Sequence, residues 1–325
     1  MSAPGGPPQG REAPSRGGER GSLRGETFSK LLVVGVGLIG GSCALALKRA
    51  GRVGEVVGVG RTRTNLDTAL ERGVIDRAHT LDGRWGREAE DADVVLVSAP
   101  VAQFPALFAA LAPHVGPSVA VTDAGSTKQD VIAAARSALG ASFGSFVPGH
   151  PIAGTEHSGA AAAFASLFDG RSVILTPLPE TGTQAIAKVR AMWEACGARV
   201  GTLEPARHDA IFAAVSHLPH ILAFTLVAEL AARPDAAAYF ENAAGGFRDF
   251  TRIAGSSPEM WRDIALANRD ALIAEIDGYG DALKAARALI VAGDGAALAE
   301  MFAEASTARR AWELARHRTE GSKNL

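Results

Sequence analysis

Gly35-Val36-Gly37-Leu38-Ile39-Gly40 stands between an apolar run at residues 31–34 and a segment of small residues with helical character at 42–50. A second apolar run follows at residues 56–59. Three glycines at this spacing, after a strand and at the start of a helix, form a cradle for a pyrophosphate. The first permits a tight turn, the second lets the backbone approach the anion, and the third lets the helix pack closely on the sheet. The helix N-terminus then turns its unpaired N–H groups and positive dipole end toward the phosphates. Gly35, Gly37, Leu38, Ile39 and Gly40 are therefore expected cofactor contacts.

Further apolar runs extend this unit. Residues 93–97 end in Ser98-Ala99-Pro100, and residues 119–122, 146–147, 172–176 and 199–203 read as strands. Helical windows lie at 103–111, up to about 139, and at 183–196. Valine-rich runs alternating with helices predict a Rossmann-type α/β domain, a doubly wound and mostly parallel sheet, over residues 28–203. Ligands of such sheets bind at the carboxyl ends of the strands, which adds Ser98, Pro100 and Asp123 to the expected cofactor contacts. From residue 204 onward no strand is legible. Helical windows at 206–231, 236–253, 258–276, 280–292 and 296–316 predict an all-α domain over 204–318, with Pro205, Pro234 and Pro258 near helix starts.

Composition narrows the function classes. With 325 residues the chain is long enough for two domains. A formal charge of −2 leaves no overall electrostatic footprint for nucleic acid or an anionic membrane. No apolar run is read as reaching the roughly 18 residues of a membrane span. Cys43 and Cys196 show no metal spacing and read as small buried hydrophobes of a reducing, cytoplasmic compartment, with no metal site expected. Residues 1–27 are Gly-, Pro- and Arg-rich and residues 319–325 are short and polar; both are expected to be tails outside the folded domains.

Several polar groups then compete for the chemistry. Gly149-His150-Pro151-Ile152-Ala153-Gly154 holds a histidine between a glycine and a proline, about 110 residues after the glycine turn. A neutral imidazole accepts a proton near physiological pH, and a rigid backbone keeps it in place, so His150 is the candidate base. Asp123-Ala124-Gly125-Ser126-Thr127-Lys128 follows a strand. Ser126 offers a hydroxyl to substrate or nicotinamide, or else caps the next helix; Lys128 reads as structural or solvated. At the end of the second strand an acidic residue would mark a free ribose 2′-OH. Gly60-Arg61-Thr62-Arg63 stands there instead. Arg61, Thr62 and Arg63 suit a 2′-phosphate, a lean to NADP, unless the arginines point to solvent. His217 and His220 share a helix face; one of them is expected to face an anionic substrate, with a zinc pair as the alternative. Arg252, close to Gly245-Gly246-Phe247, is a candidate bidentate clamp for a carboxylate.

Taken in order, residues 35–42, 123–128, 149–154, 216–220, Phe250-Thr251-Arg252 and Met260-Trp261-Arg262-Asp263 resemble the prephenate dehydrogenases, the tyrosine-biosynthesis family that includes arogenate and cyclohexadienyl dehydrogenases. The resemblance covers roughly residues 30–315. It implies oxidative decarboxylation of prephenate with NAD(P)+ to 4-hydroxyphenylpyruvate, or of arogenate to tyrosine. It implies that His150 accepts the hydrogen bond of the ring hydroxyl, that Ser126 positions it, and that Arg252 with His217 or His220 binds carboxylate. Thr155 and Glu156 match positions at the pocket entrance, and Gly246 falls in the substrate region. Trp261 matches a tryptophan that approaches the partner subunit's site, implying a homodimer through the helical domain. A monofunctional enzyme is expected, without a mutase segment or a regulatory domain. Two other readings are weaker. Hydroxy-acid dehydrogenases of similar layout use a catalytic lysine in the helical region, yet no lysine occurs between Lys188 and Lys284. A noncatalytic NADPH-sensing protein would need neither His150 nor Arg252.

Overall fold

The computed structural model describes residues 26–155 and 157–321. The expected N-terminal tail, apart from residues 26 and 27, and Glu156 lie outside the described residues. The first domain alternates strand and helix: β1 Phe28–Val34, α1 Leu38–Arg49, β2 Val53–Gly60, α2 Arg63–Glu71, β3 Arg77–Thr80, β4 Val94–Val97, α3 Phe104–Leu111, β5 Ala120–Asp123, α4 Gln129–Leu139 and β6 Phe146–Val147. It continues with β7 Gly149–Pro151, β8 Ser172–Leu175, α5 Thr183–Ala195 and β9 Arg199–Thr202.

Six strands form a parallel sheet in the order β3-β2-β1-β4-β5-β6. Strand order reverses beside β1, whose Val34 sits between Val59 and Val97. A crevice for a dinucleotide opens at such a switch point. β4 is buried at every position because helices cover both faces. One apolar cluster, with Val33, Leu47, Val56 and Trp193, fills one side. A second, with Val34, Val59, Phe104, Phe108 and Phe146, fills the other.

Two details depart from the sequence reading. β3, Arg-Ala-His-Thr, is a short polar edge strand that carries no apolar run to reveal it. The last three strands do not extend the main sheet. β7 pairs antiparallel with β8, and β8 parallel with β9, in a separate sheet. Cys43 and Cys196 meet in the core, with sulfurs 3.7 Å apart and unbonded, well beyond the roughly 2.05 Å of a disulfide.

The second domain is all helix: α6 Pro205–Phe212, a π turn Ala213–His217, α7 Leu218–Ala231, α8 Ala236–Glu241, α9 Gly245–Thr251, α10 Pro258–Ala267, α11 Arg269–Ala292 and α12 Gly295–Gly321. Four boundaries differ from expectation, the first being that the 258–276 window breaks at Asn268 between α10 and α11. The 236–253 window breaks into α8 and α9. The break expected before Gly280 is absent, since Gly278 and Gly280 lie inside α11. A glycine costs a helix only about 1 kcal/mol, less than the flanking alanines and leucines sustain. α12 runs past residue 318.

The π turn has a covalent cause. Pro219 has no N–H to donate to the carbonyl of Val215 and its ring crowds that carbonyl, so the ladder widens just before it. The segment Pro205–Ala231 is also long and apolar enough to cross a membrane by length and composition, with mean hydropathy 1.8 over its best window. This corrects the expectation that no run reaches that length. The helix carries His208, Asp209 and His217 buried against protein, while only 28% of its best window is buried.

Candidate active site

The glycine turn is built as a nucleotide cradle. Gly35 has φ +102°, and a Cβ there would lie 2.5 Å from the Ser98 carbonyl oxygen, so only glycine fits. A Cβ on Gly40 would collide with the Ser98 hydroxyl and the Gly35 carbonyl. Ser98 Oγ in turn donates to the Gly35 carbonyl at 2.7 Å. Ser98 therefore braces the turn. Gly37 caps α1 with no side-chain hydrogen bond and with open space where a Cβ would point, so the first N–H groups of α1, at Leu38 and Ile39, remain for an anion. These residues fit a dinucleotide pyrophosphate. Pro100 lies exposed just after β4, at the same carboxyl edge.

At the end of β2, Arg61 is exposed and Thr62 is the N-cap of α2. Arg63 contacts Asp67 at 2.8 Å in an exposed pair, an interaction worth about 0.3–0.5 kcal/mol and easily given up. Asn65 donates to the Val36 carbonyl at 2.7 Å and accepts from Ala160 N at 2.8 Å. It ties the cradle to the loop after β7, a role its sequence position did not reveal.

Asp123 departs from its expected part. Its carboxylate is fully buried and bound to Lys128 Nζ, while Gly125 N and Gly149 N donate to it at 2.7 and 2.9 Å. No face of it is left for a cofactor. Burial pushes the Asp123 carboxyl up, against the pull of Lys128 and these two N–H groups. Lys128 Nζ also donates to the Gly149 carbonyl at 2.6 Å. The pair thus grips both polar groups of Gly149 and sets the backbone from which His150 projects. Ser126 lies in the chain between the two clamp residues, half-buried, and its hydroxyl makes no hydrogen bond among the described residues.

His150 is 9% exposed. Its Nδ1 lies 2.9 Å from His208 Nε2, and His208 Nδ1 lies 2.9 Å from Asp209 Oδ1. Phe212 packs edge-on against His150 at 4.7 Å between ring centroids. Burial, then the charges of His208, Lys128 and His217, holds His150 well below the usual histidine range. It is a neutral imidazole at physiological pH. His208 and Asp209 escaped the sequence reading because nothing local distinguishes them; a His-Asp pair one helical turn after the Glu204-Pro205 cap was the available signal. Glu204 accepts from Ala206 N and Arg207 N at 3.0 and 2.8 Å and starts α6 firmly.

His217 and His220 do share a face, and Trp261 covers it. Trp261 stacks on His220 with centroids 3.5 Å apart and stands 6.1 Å from His217. Trp261 is therefore buried against its own chain's histidines. Asn268 Nδ2 donates to the Asp209 carbonyl at 2.8 Å and reaches His217 Nδ1 at 3.1 Å. An amide N–H₂ only donates, so His217 Nδ1 accepts and its proton sits on Nε2. That Nε2 is buried and has no partner. His220 points its Nδ1 at the Ser216 carbonyl, 2.8 Å away. Burial pushes His217 down to about 4. Burial also lowers His220, which feels the nearby Arg252 cation. Arg252 is exposed just after α9, Gly246 is the second residue of α9 with open space where a Cβ would point, and Thr155 is exposed, accepting from His157 N at 3.2 Å.

A Rossmann-type domain with a nucleotide cradle, a buried neutral imidazole at the sheet's carboxyl side and an all-helical second domain define an NAD(P)-dependent dehydrogenase. The family profile "Prephenate dehydrogenase, nucleotide-binding domain" matches residues 43–202, and "Prephenate dehydrogenase, dimerization domain" matches residues 204–304. The chain belongs to the prephenate dehydrogenase family. It is 36% identical to a cyclohexadienyl dehydrogenase of Zymomonas mobilis, over 87% of this chain and 96% of that one. It is 38% identical to a Bacillus subtilis prephenate dehydrogenase, over 77% and 67%. Among solved structures, an Aquifex aeolicus prephenate dehydrogenase in complex with hydroxyphenyl propionate and NAD+ superposes with a TM-score of 0.81 at 37% identity, covering 87% of this chain and 97% of that one.

Proposed function

We propose that this enzyme oxidatively decarboxylates prephenate, with His150 as the base. The observation that carries the reading is the neutral, nearly buried His150 on a backbone gripped by Asp123 and Lys128. His150 Nε2 accepts the hydrogen bond of the ring hydroxyl, and Ser126 orients that hydroxyl. A nicotinamide dinucleotide held at the Gly35–Gly40 cradle would supply the hydride acceptor for the carbon that bears the hydroxyl. The hydroxyl proton passes to His150. The electron pair of the ring carbon–carboxylate bond moves into the ring as carbon dioxide leaves, and the phenol oxygen recovers the proton. His150 ends neutral, as it began. Arg252 clamps one carboxylate of the substrate, and the unpartnered His217 Nε2–H donates to the other. Thr155, Gly246 and Trp261 line the approach. Arogenate is the second reading, supported by 29% identity to an arogenate dehydrogenase of Synechocystis with a TM-score of 0.73 over 87% of this chain and 99% of that one.

The finer cofactor reading is NADP, supported by Gly60 in place of an acidic residue and by Arg61, Thr62 and Arg63 beside it. The finer assembly reading is a homodimer through the helical domain. Leu266, Ile290, Val291, Phe302 and Leu314 are each more than half exposed there, more apolar surface than a lone domain leaves in water. The meeting of the two family profiles at residues 202 and 204 supports a division into 28–203 and 204–318. Free, unbonded Cys43 and Cys196 support a cytoplasmic, reducing location.

One assay tests the reading. His150→Asn is expected to lower kcat at least ~100-fold with cofactor affinity kept, the scale of a lost general base. It is run with prephenate and arogenate, each with NAD and NADP. Unchanged turnover removes His150 from the chemistry, and a strong NAD preference assigns Arg61 and Arg63 to solvent.

A further inference from the structure

We propose that His208 and Asp209, from the helical domain, are positioning residues that lock His150 in the one tautomer able to act as a base. The inference rests on the assignment of His150 as that base. It starts at Asp209, which accepts from two fixed backbone donors and faces one imidazole nitrogen. Lys128 N reaches Oδ1 at 2.8 Å, Gln129 N reaches Oδ2 at 2.9 Å, and His208 Nδ1 lies 2.9 Å from Oδ1. A protonated carboxyl would find an acceptor only in His208 Nδ1, and the two backbone N–H groups favour the ionised form instead. The two backbone donors are the first N–H groups of α4, so the positive end of that helix also faces the carboxylate. Burial would raise Asp209, but His208 and these N–H groups outweigh it and hold the carboxyl below its usual value.

Each step then follows from donor and acceptor counting. An ionised carboxylate only accepts, so His208 carries a proton on Nδ1. A neutral imidazole protonated there has a lone pair on Nε2, so His208 Nε2 accepts. The facing atom, His150 Nδ1 at 2.9 Å, must donate. Neutral His150 is left with a bare Nε2, the atom that receives the substrate proton.

The competing arrangement needs a cationic His208. It would donate from Nε2 and force the proton of His150 onto Nε2, where it blocks proton transfer. Burial opposes that cation first and Lys128 adds to the opposition, while Asp209 and Asp123 favour it; the net shift is downward. The groups facing His150 itself are His208, Lys128 and His217. When His150 takes up the substrate proton, its Nδ1–H already points along a chain that ends in a carboxylate. The transient charge is stabilised without atoms moving.

The arrangement crosses the domains. His150 belongs to β7 of the nucleotide domain, and its orienting pair to α6 of the helical domain. The carboxylate that caps α4 is the same one that sets the tautomer. Docking of the two domains is thus a condition for a competent base.

The test combines a spectroscopic and a kinetic measurement on the full chain. ¹⁵N NMR of the imidazoles reports directly which ring nitrogen of His150 is bare. The expected result is a bare Nε2 in the wild type and a protonated Nε2 in Asp209→Asn, whose amide can turn its N–H₂ toward His208. Asp209→Asn should also lower kcat at least ~100-fold, the direction seen when a base is held in the wrong tautomer, with KM for prephenate within about threefold. His208→Gln, whose Oε1 can still accept from His150, should retain more of kcat than His208→Leu, and only the Leu variant should alter the pH dependence of kcat. A wild-type His150 protonated on Nε2 overturns the proposal. So does an Asp209→Asn enzyme with unchanged kcat. If Asp209→Asn does not fold, the wild-type spectrum and the His208 variants decide. Failure of the base assignment is separate: it would show as a bare Nε2 in an enzyme that His150→Asn leaves fully active.

Discussion

At the residue scale the site depends on two buried charges that touch no ligand. Lys128 and Asp123 have no exposed side-chain surface, and between them they hold the N–H and the carbonyl of Gly149. Replacing Lys128 by Met would leave the Asp123 carboxylate buried without its countercharge. Breaking a buried pair from one side costs about 3–5 kcal/mol. The Lys128→Met variant should therefore show a lower urea midpoint, together with a fall in kcat as the His150 backbone loosens. A midpoint equal to that of the wild type would show that Asp123 is satisfied by backbone donors alone. The structural reading of Lys128 was available from sequence, but its partner was not: Asp123 lies five residues earlier, at a strand end that favoured a ligand role. His150 was legible because its rigidity is local, between glycine and proline. Its orienting group was not, since His208 lies 58 residues away.

At the element scale the β1–turn–α1 unit was the easiest part to read, because every requirement lies within six residues. Gly35 is the strictest of them. Gly35→Ala would place a Cβ 2.5 Å from the Ser98 carbonyl at φ +102°. Such backbone strain costs about 1–3 kcal/mol. If the turn relieves it by opening, the cofactor Kd rises at least ~10-fold, which is about 1.4 kcal/mol. Calorimetric titration with NAD and NADP would show this, and an unchanged Kd for both would mean that the turn shifts without disturbing the cradle. The helical domain was less legible. Its helices were found, but α8 and α9 were fused, α10 was fused with the start of α11, and α11 was cut at Gly280, because alanine-rich segments give little periodicity to mark an end. The π turn before Pro219 was missed for a different reason. A proline in a helix says that the ladder must yield, but not whether the helix kinks, ends or widens.

At the scale of the whole molecule, folding buries or half-buries four histidines that the free chain would titrate normally, His150 and His208 where the two domains meet and His217 and His220 under Trp261 within the helical domain. His150, His208, His217 and His220 all have lowered proton affinity, with burial as the leading cause. A histidine whose folded value lies below its unfolded value binds fewer protons when native, so stability rises with pH across the interval between the two values. For His217 that interval runs from about 4 up to the ordinary histidine value of 6.5. The shift corresponds to roughly 3 kcal/mol, fully present above the interval and lost as pH falls through it. Urea midpoints should thus drop between pH 6.5 and 4.5, where most carboxylates remain ionised, and drop less in His217→Asn. A flat profile would contradict the burial of these imidazoles.

The sequence by itself determined the nucleotide-binding half, the helical character of the rest, the candidate base and the family. Each depends on residues adjacent in the chain, where glycine spacing, proline and apolar runs act through local backbone geometry. Only the tertiary structure decided what His150 is bonded to, which histidine offers a free donor, and that Asp123 is a strut for Gly149. Those answers depend on which donors and acceptors meet when α6 docks against α4 and β7. Hydrogen-bond partners are chosen by that docking, and spacing along the chain carries no record of it.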